Sequence, residues 1–143
     1  MHFENNLDDR HLSWDCIAPI IMKIRGKSIS VKNEEYKKLN DGQKAIFSFH
    51  VYYDHAKADV ESLIHWSEHY SQVHFFEQIK KGGEYFGNVE YIALLDKTER
   101  ITSSGTMHEF GNIYSDFVRI GDEHKVWMGK AIRENREYFY SYK

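Results

Sequence analysis

Cysteine and proline are nearly absent from this sequence: each occurs once in 143 residues, as Cys16 and Pro19. A single thiol excludes an intrachain disulfide and fits a reducing compartment. Long apolar runs are lacking as well. The longest, residues 16–22 (CIAPIIM), falls far short of the roughly 20 residues that a membrane-spanning helix needs. The opening MHFENNLDDR is polar and acidic, unlike a secretory signal. Charge of either sign is not in excess: 19 basic and 22 acidic residues leave a net −3. Without a basic surplus there is little to neutralise a phosphate backbone, which disfavours direct nucleic-acid binding. Gly82–Gly83 and Gly87 make no phosphate loop, because neither a Walker lysine pattern nor a GxGxxG accompanies them. No repeat, low-complexity tract or interdomain linker is visible. These absences predict one cytoplasmic domain spanning 1–143, with neither membrane nor nucleic acid as a direct partner.

Aromatic rings are abundant instead: ten Tyr, nine Phe and three Trp. A chain of this length buries about two-thirds of its unfolded surface. Rings must therefore carry much of the burial, with some left for an interface. Trp14, Trp66 and Trp127 each read as core anchors.

Helical spacing dominates the pattern. Ser13, Ile17, Ile20, Ile21 and Ile24 form one stripe, interrupted by Pro19, which predicts a kink or a helix that effectively begins near Asp15. Gly26 is a fitting stop. Residues 27–31 (KSISV) are compatible with a short strand. Asn40 and Gln43 have the spacing of a capping box ahead of Ala45, Ile46, Phe49, Tyr53 and Ala56. After Asp59 come Val60, Leu63, Ile64, Ser67 and Ser71, with a bend expected near Ser71 before the chain runs on to Gly82. Asn88 caps a helix through Leu94 and Leu95, and a last helix runs from Asp122 through Met128, Ile132 and Phe139. Residues 102–121 are readable as a loop followed by either a helix or a strand. The expected fold is all-α: an antiparallel helical domain of five to seven helices.

Two histidine patterns carry candidate chemistry. Glu61, His65 and His69 step by four residues and share one helix face. With Val60 at zero they fall at about 100°, 140° and 180°, away from the apolar stripe, so the spacing predicts a solvated face. As an alternative, Glu61, His65 and His69 are a candidate metal set shared with another chain, since His pairs at i, i+4 chelate zinc. His50 and Asp54 form a second i, i+4 pair. A base oriented by an acid is the catalytic alternative there, although no nucleophile is marked by its neighbourhood. Cys16 sits in an apolar stretch, where a thiol is inert core.

Several stretches together resemble a known family: WDCIAPI (14–20), YKKLNDGQKAIFSFHVYYDH (36–55), YFGNVEYIALL (85–95), IYSDFVRI (113–120) and KAIRENREYF (130–139). Their order and spacing are similar to the DNA-mimic-protein-type family of small bacterial helical domains. The resemblance implies an all-α cytoplasmic protein with no cofactor and no established catalytic residues. It also implies a role in which acidic side chains imitate DNA phosphates and occupy a DNA-binding partner. Where members carry an Asn-Gly-Gly segment, this chain reads DHAKADVESLIHW (54–66). Asp8, Asp9, Glu34, Glu35, Asp59 and Glu61 are candidates for a negative patch.

The expected function is thus a non-catalytic protein-binding domain, acting as a regulator, inhibitor or immunity-type partner of another protein. Tyr52, His65, Trp66, His69 and Tyr70 are the expected binding surface, and exposed aromatics also fit a homodimer. The alternative is a metal-binding protein or a hydrolase using helix-borne histidines.

Overall fold

Single side chains start five of the helices. In the computed structural model, which describes residues 8–142, Asp8 accepts from the Arg10 N–H at 2.9 Å and opens α1 (Asp9–Ile24). Ser28 opens α2 (Ile29–Lys37) by accepting from Val31. Asn40 and Gln43 form the expected reciprocal box at the head of α3 (Asp41–Ala56), with bonds of 2.8 and 3.0 Å. Asp59 caps α4 (Val60–Gln72) at 2.7 Å. After α5 (Phe76–Tyr85), Asn88 caps α6 (Val89–Ser104). A 3₁₀ turn at Met107–Glu109 leads into α7 (Phe110–Glu134), and a single turn, α8 (Arg136–Phe139), follows. The fold is all-α, with eight helices and no strand among the described residues. Among them no helix is long and apolar enough to cross a membrane. The opening MHFENNL, read above as unlike a secretory signal, lies outside the described residues.

Local differences from the sequence reading have identifiable causes. Residues 27–31 are no strand: the Ser28 cap turns them into the start of α2. α1 begins at Asp9 rather than near Asp15, and carries the exposed Pro19 inside it. The expected bend near Ser71 is a full break. His74 takes φ +59°, the Phe75 N–H bonds the Tyr70 carbonyl at 2.9 Å, and the His74 N–H bonds Ser71 at 3.2 Å. That pair of bonds is a Schellman ending, with histidine where glycine is usual. The last long helix starts at Phe110, not Asp122, and carries Gly111 and Gly121 inside it despite glycine's poor helix propensity.

α3 is the central element. Its buried residues run all round it, from Gln43 through Phe49, His50, Tyr52 and Tyr53 to Ala56. One core cluster joins it to Leu12 and Ile17 of α1, Leu63 of α4, Ile79 of α5, Leu95 of α6 and Phe117 of α7. The tightest crossings use glycine. A Cβ at Gly82 of α5 would lie 3.1 Å from the Ala45 backbone of α3, and one at Gly129 of α7 would lie 2.7 Å from the Asp9 Cα of α1. Gly82 and Gly83 are therefore contact positions inside α5, not its end.

Candidate functional site

His50 is where the catalytic alternative meets geometry. On α3 it stands one turn before Asp54, and its Nδ1 lies 2.8 Å from an Asp54 carboxylate oxygen. With Nδ1–H donating there, Nε2 is left to accept the Ser13 hydroxyl, also at 2.8 Å. The order is that of nucleophile, base and acid. Sequence reading missed Ser13, which stands among isoleucines on the inward stripe of α1. A lone hydroxyl on that stripe was the available signal, since a buried hydroxyl needs a partner.

The surroundings of this string do not suit catalysis. Ser13 is 0% exposed and His50 3%; only the Asp54 end reaches solvent. Ser13 lies inside α1, where backbone N–H groups are spent in the helix ladder rather than aimed at a reacting oxygen. Burial by itself would raise the Asp54 pKa. The His50 bond and the ammonium groups of Lys125 and Lys57 outweigh it and hold the carboxyl below its usual range. The string ties α1 to α3. Cys16 is likewise interior: its Sγ approaches the Phe139 carbonyl at 3.1 Å, and burial pushes the thiol up to about 11.

The second group lies on α4. Glu61, His65 and His69 are all exposed, as the helical angles require. The two imidazoles are nearly parallel, with centroids 6.5 Å apart. Both approach the half-buried Trp66 edge-on, at 5.0 and 5.4 Å, while His55 of α3 stacks on the indole at 4.7 Å. Among the described residues no three His, Cys, Asp or Glu side chains converge as a metal-holding group. Tyr70 is half-buried and donates to the Val51 carbonyl at 3.1 Å.

Tyr52 must be removed from the expected surface. It is fully buried, its hydroxyl shares a 2.7 Å bond with Ser67, and Tyr70, Phe76 and Phe117 meet its ring edge-on. The cause is the all-round burial of α3, which leaves that helix no wet face at Tyr52.

The third group was not foreseen. Trp127 is 47% exposed and Tyr85 45%, so Trp127 is not the core anchor that its helix position suggested. They stand over an open cleft of about 810 Å³, lined also by Phe86, Val126, Ala131 and Phe139, with Glu123, Lys130 and Glu134 on α7.

The acids do not gather into one patch. Asp9 pairs with Arg133 at 2.6 Å near the start of α1, while Glu35 pairs with Lys23 at 3.1 Å near its end. Those α1 positions are about 21 Å apart along the helix. Asp8 caps α1 and Asp59 caps α4. Comparison with protein-family models, with curated proteins and with solved structures found no match to this chain.

Proposed function

We propose that the chain is a non-catalytic protein-binding domain of the regulator, inhibitor or immunity type, docking another protein through the α4 face of Glu61, His65, Trp66 and His69, with His55 beside it. The observation that carries this reading is the crowding of three exposed imidazoles around one indole. Such rings offer large contact area and hydrogen-bond donors for little ordering entropy, and tryptophan is enriched among binding hot spots. Adjacent Glu61 and Glu68 give the face an acidic edge. A photo-crosslinking amino acid placed at His69, in the organism that encodes the protein, tests it. One discrete adduct is expected, lost when His65→Ala is added and absent when the crosslinker stands at Arg100. No adduct from positions 61, 65 and 69 overturns the reading.

The hydrogen-bond order at Ser13 favours a second reading, a serine hydrolase using His50 and Asp54. Burial opposes it. A fluorophosphonate probe should leave Ser13 unlabelled in the native protein. Ser13→Ala should lower stability by about 1–2 kcal/mol, since His50 loses a buried partner, without changing the crosslink at position 69. Stoichiometric labelling of Ser13 would decide for the hydrolase.

A further inference from the structure

The exposed stripe of α7 carries charges in an order that reads as its own complement. With Arg119 at zero, a helix step of about 100° puts Val126 near −20°, Lys130 near 20°, Glu123 near 40°, Glu134 near 60° and Trp127 near 80°. All six therefore share one face, and all are exposed except the half-buried Val126. Between Arg119 and Glu134 the order along that face is positive, negative, apolar, positive, negative; the exposed Asp116, near 60° and one turn earlier, is already paired with Arg119 at 3.5 Å. We infer that this face is the seat of a second copy of the same chain, with the two α7 helices antiparallel across a two-fold axis between Val126 and Trp127.

In that register Arg119 faces Glu134 of the second copy, Glu123 faces Lys130, and Val126 faces Trp127, each contact occurring twice by symmetry. A parallel pairing in register would set like charge against like, so the pattern selects one orientation. Lys130 and Glu134 have no ion-pair partner within the chain among the described residues. Arg119 already holds Glu90, Asp116 and Glu123 at 3.4–3.5 Å, but these are exposed contacts that cost little to share. Shape agrees with charge. The stripe forms one wall of the cleft under Trp127 and Tyr85, open enough to receive a ridge of side chains from a second helix. About 22 Å of paired helix is a small interface, so association should be of micromolar rather than nanomolar strength. The proposal is independent of the α4 reading, and a dimer joined this way would present two such faces.

Sedimentation equilibrium of the full chain over a wide loading range tests it. The wild type should pass from monomer to dimer with rising concentration. Glu123→Lys and Lys130→Glu should each weaken the dimer about tenfold or more, by placing like charges across both symmetry-related contacts. The double variant E123K/K130E should return the constant to within about threefold of wild type, because the swap rebuilds the same pair. Trp127→Ala should weaken association as well. At loadings below the wild type's dissociation constant, melting curves of the charge variants should match wild type, which separates lost pairing from lost folding. A wild type monomeric throughout overturns the proposal, as does a dimer indifferent to both single reversals. Weakening without rescue overturns the antiparallel register.

Discussion

Replacing Gly129 with alanine is expected to destabilise the protein by about 3 kcal/mol, against the sign that helix propensity predicts. Gly129 lies inside α7, and in a helix interior glycine is about 1 kcal/mol worse than alanine. On that ground alone the variant should gain stability. Packing decides otherwise. A Cβ here would collide with the Asp9 carbonyl oxygen and come within 2.7 Å of the Asp9 carbonyl carbon and Cα. These are backbone atoms of α1, which cannot rotate aside as a side chain does. α1 would have to lift from α7, disturbing the Arg133–Asp9 pair and opening the contact along both helices. Gly111 provides the control, since it lies in the same helix with nothing within 4 Å of its would-be Cβ. Gly111→Ala should therefore follow propensity, gaining up to about 1 kcal/mol. Urea unfolding of both variants reads the difference. A gain in both would show that the α1–α7 crossing has slack that the geometry denies.

The same contrast explains what was legible in the sequence. Three helix starts were readable because a cap is a local event: Asn40 with Gln43, Asp59 and Asn88 each bond an N–H three residues on, and need nothing from the rest of the fold, whereas the equally local Ser28 cap lay in a stretch read as a strand. Gly26, at φ +77° just past the end of α1, was read correctly as a stop, but Gly82 was misread because the meaning of a close crossing is decided elsewhere in the chain. Gly82 and Gly121 look like punctuation, yet each lies inside a helix where a neighbour comes too close for a methyl group: Ala45 at Gly82, the Tyr53 ring at Gly121. A bend was expected near Ser71, but not the full break at His74, whose left-handed conformation falls on a residue that does not advertise it. At the candidate sites, the outward aim of Glu61, His65 and His69 followed from angle alone. The burial of Tyr52 did not, because it depends on how many helices surround α3. The exposure of Trp127 has the same origin: Met128, its neighbour in sequence, is fully buried, and only the set of helices covering α7 decides which is which.

Acid should unfold this protein earlier than its carboxylates alone would require, and His124 is the reason. The residue is fully buried on α7, stacked on Tyr91 at 4.1 Å, with Phe49 and Phe86 close by. Asn88 spends its oxygen on the Tyr91 N–H as the α6 cap, so its amide nitrogen donates to His124 Nδ1 at 3.1 Å. That arrangement makes His124 neutral with the proton on Nε2, an atom with no partner. Burial above all, with nearby His50 second, drives its pKa down to about 3 from 6.5. A depressed histidine pKa means that the unfolded chain takes up a proton which the native state refuses. Stability is therefore full above about pH 6.5 and falls as pH drops towards 3, by about 2–3 kcal/mol between pH 6.5 and 4.5. Asp8, Glu35, Asp54 and Asp59, held below the usual carboxylate range, work in the same direction but mostly below about pH 4.5, so above that the imidazole dominates. His124→Phe fits the ring-lined site and removes the titration. At pH 7 it should cost about 1–2 kcal/mol, because Asn88 loses its acceptor. It should nevertheless unfold in urea with a clearly flatter dependence on pH than wild type between 6.5 and 4.5. Parallel profiles for the two proteins would mean that His124 protonates as readily folded as unfolded, which the closed ring of Phe49, Phe86 and Tyr91 forbids unless α6 and α7 part to admit water.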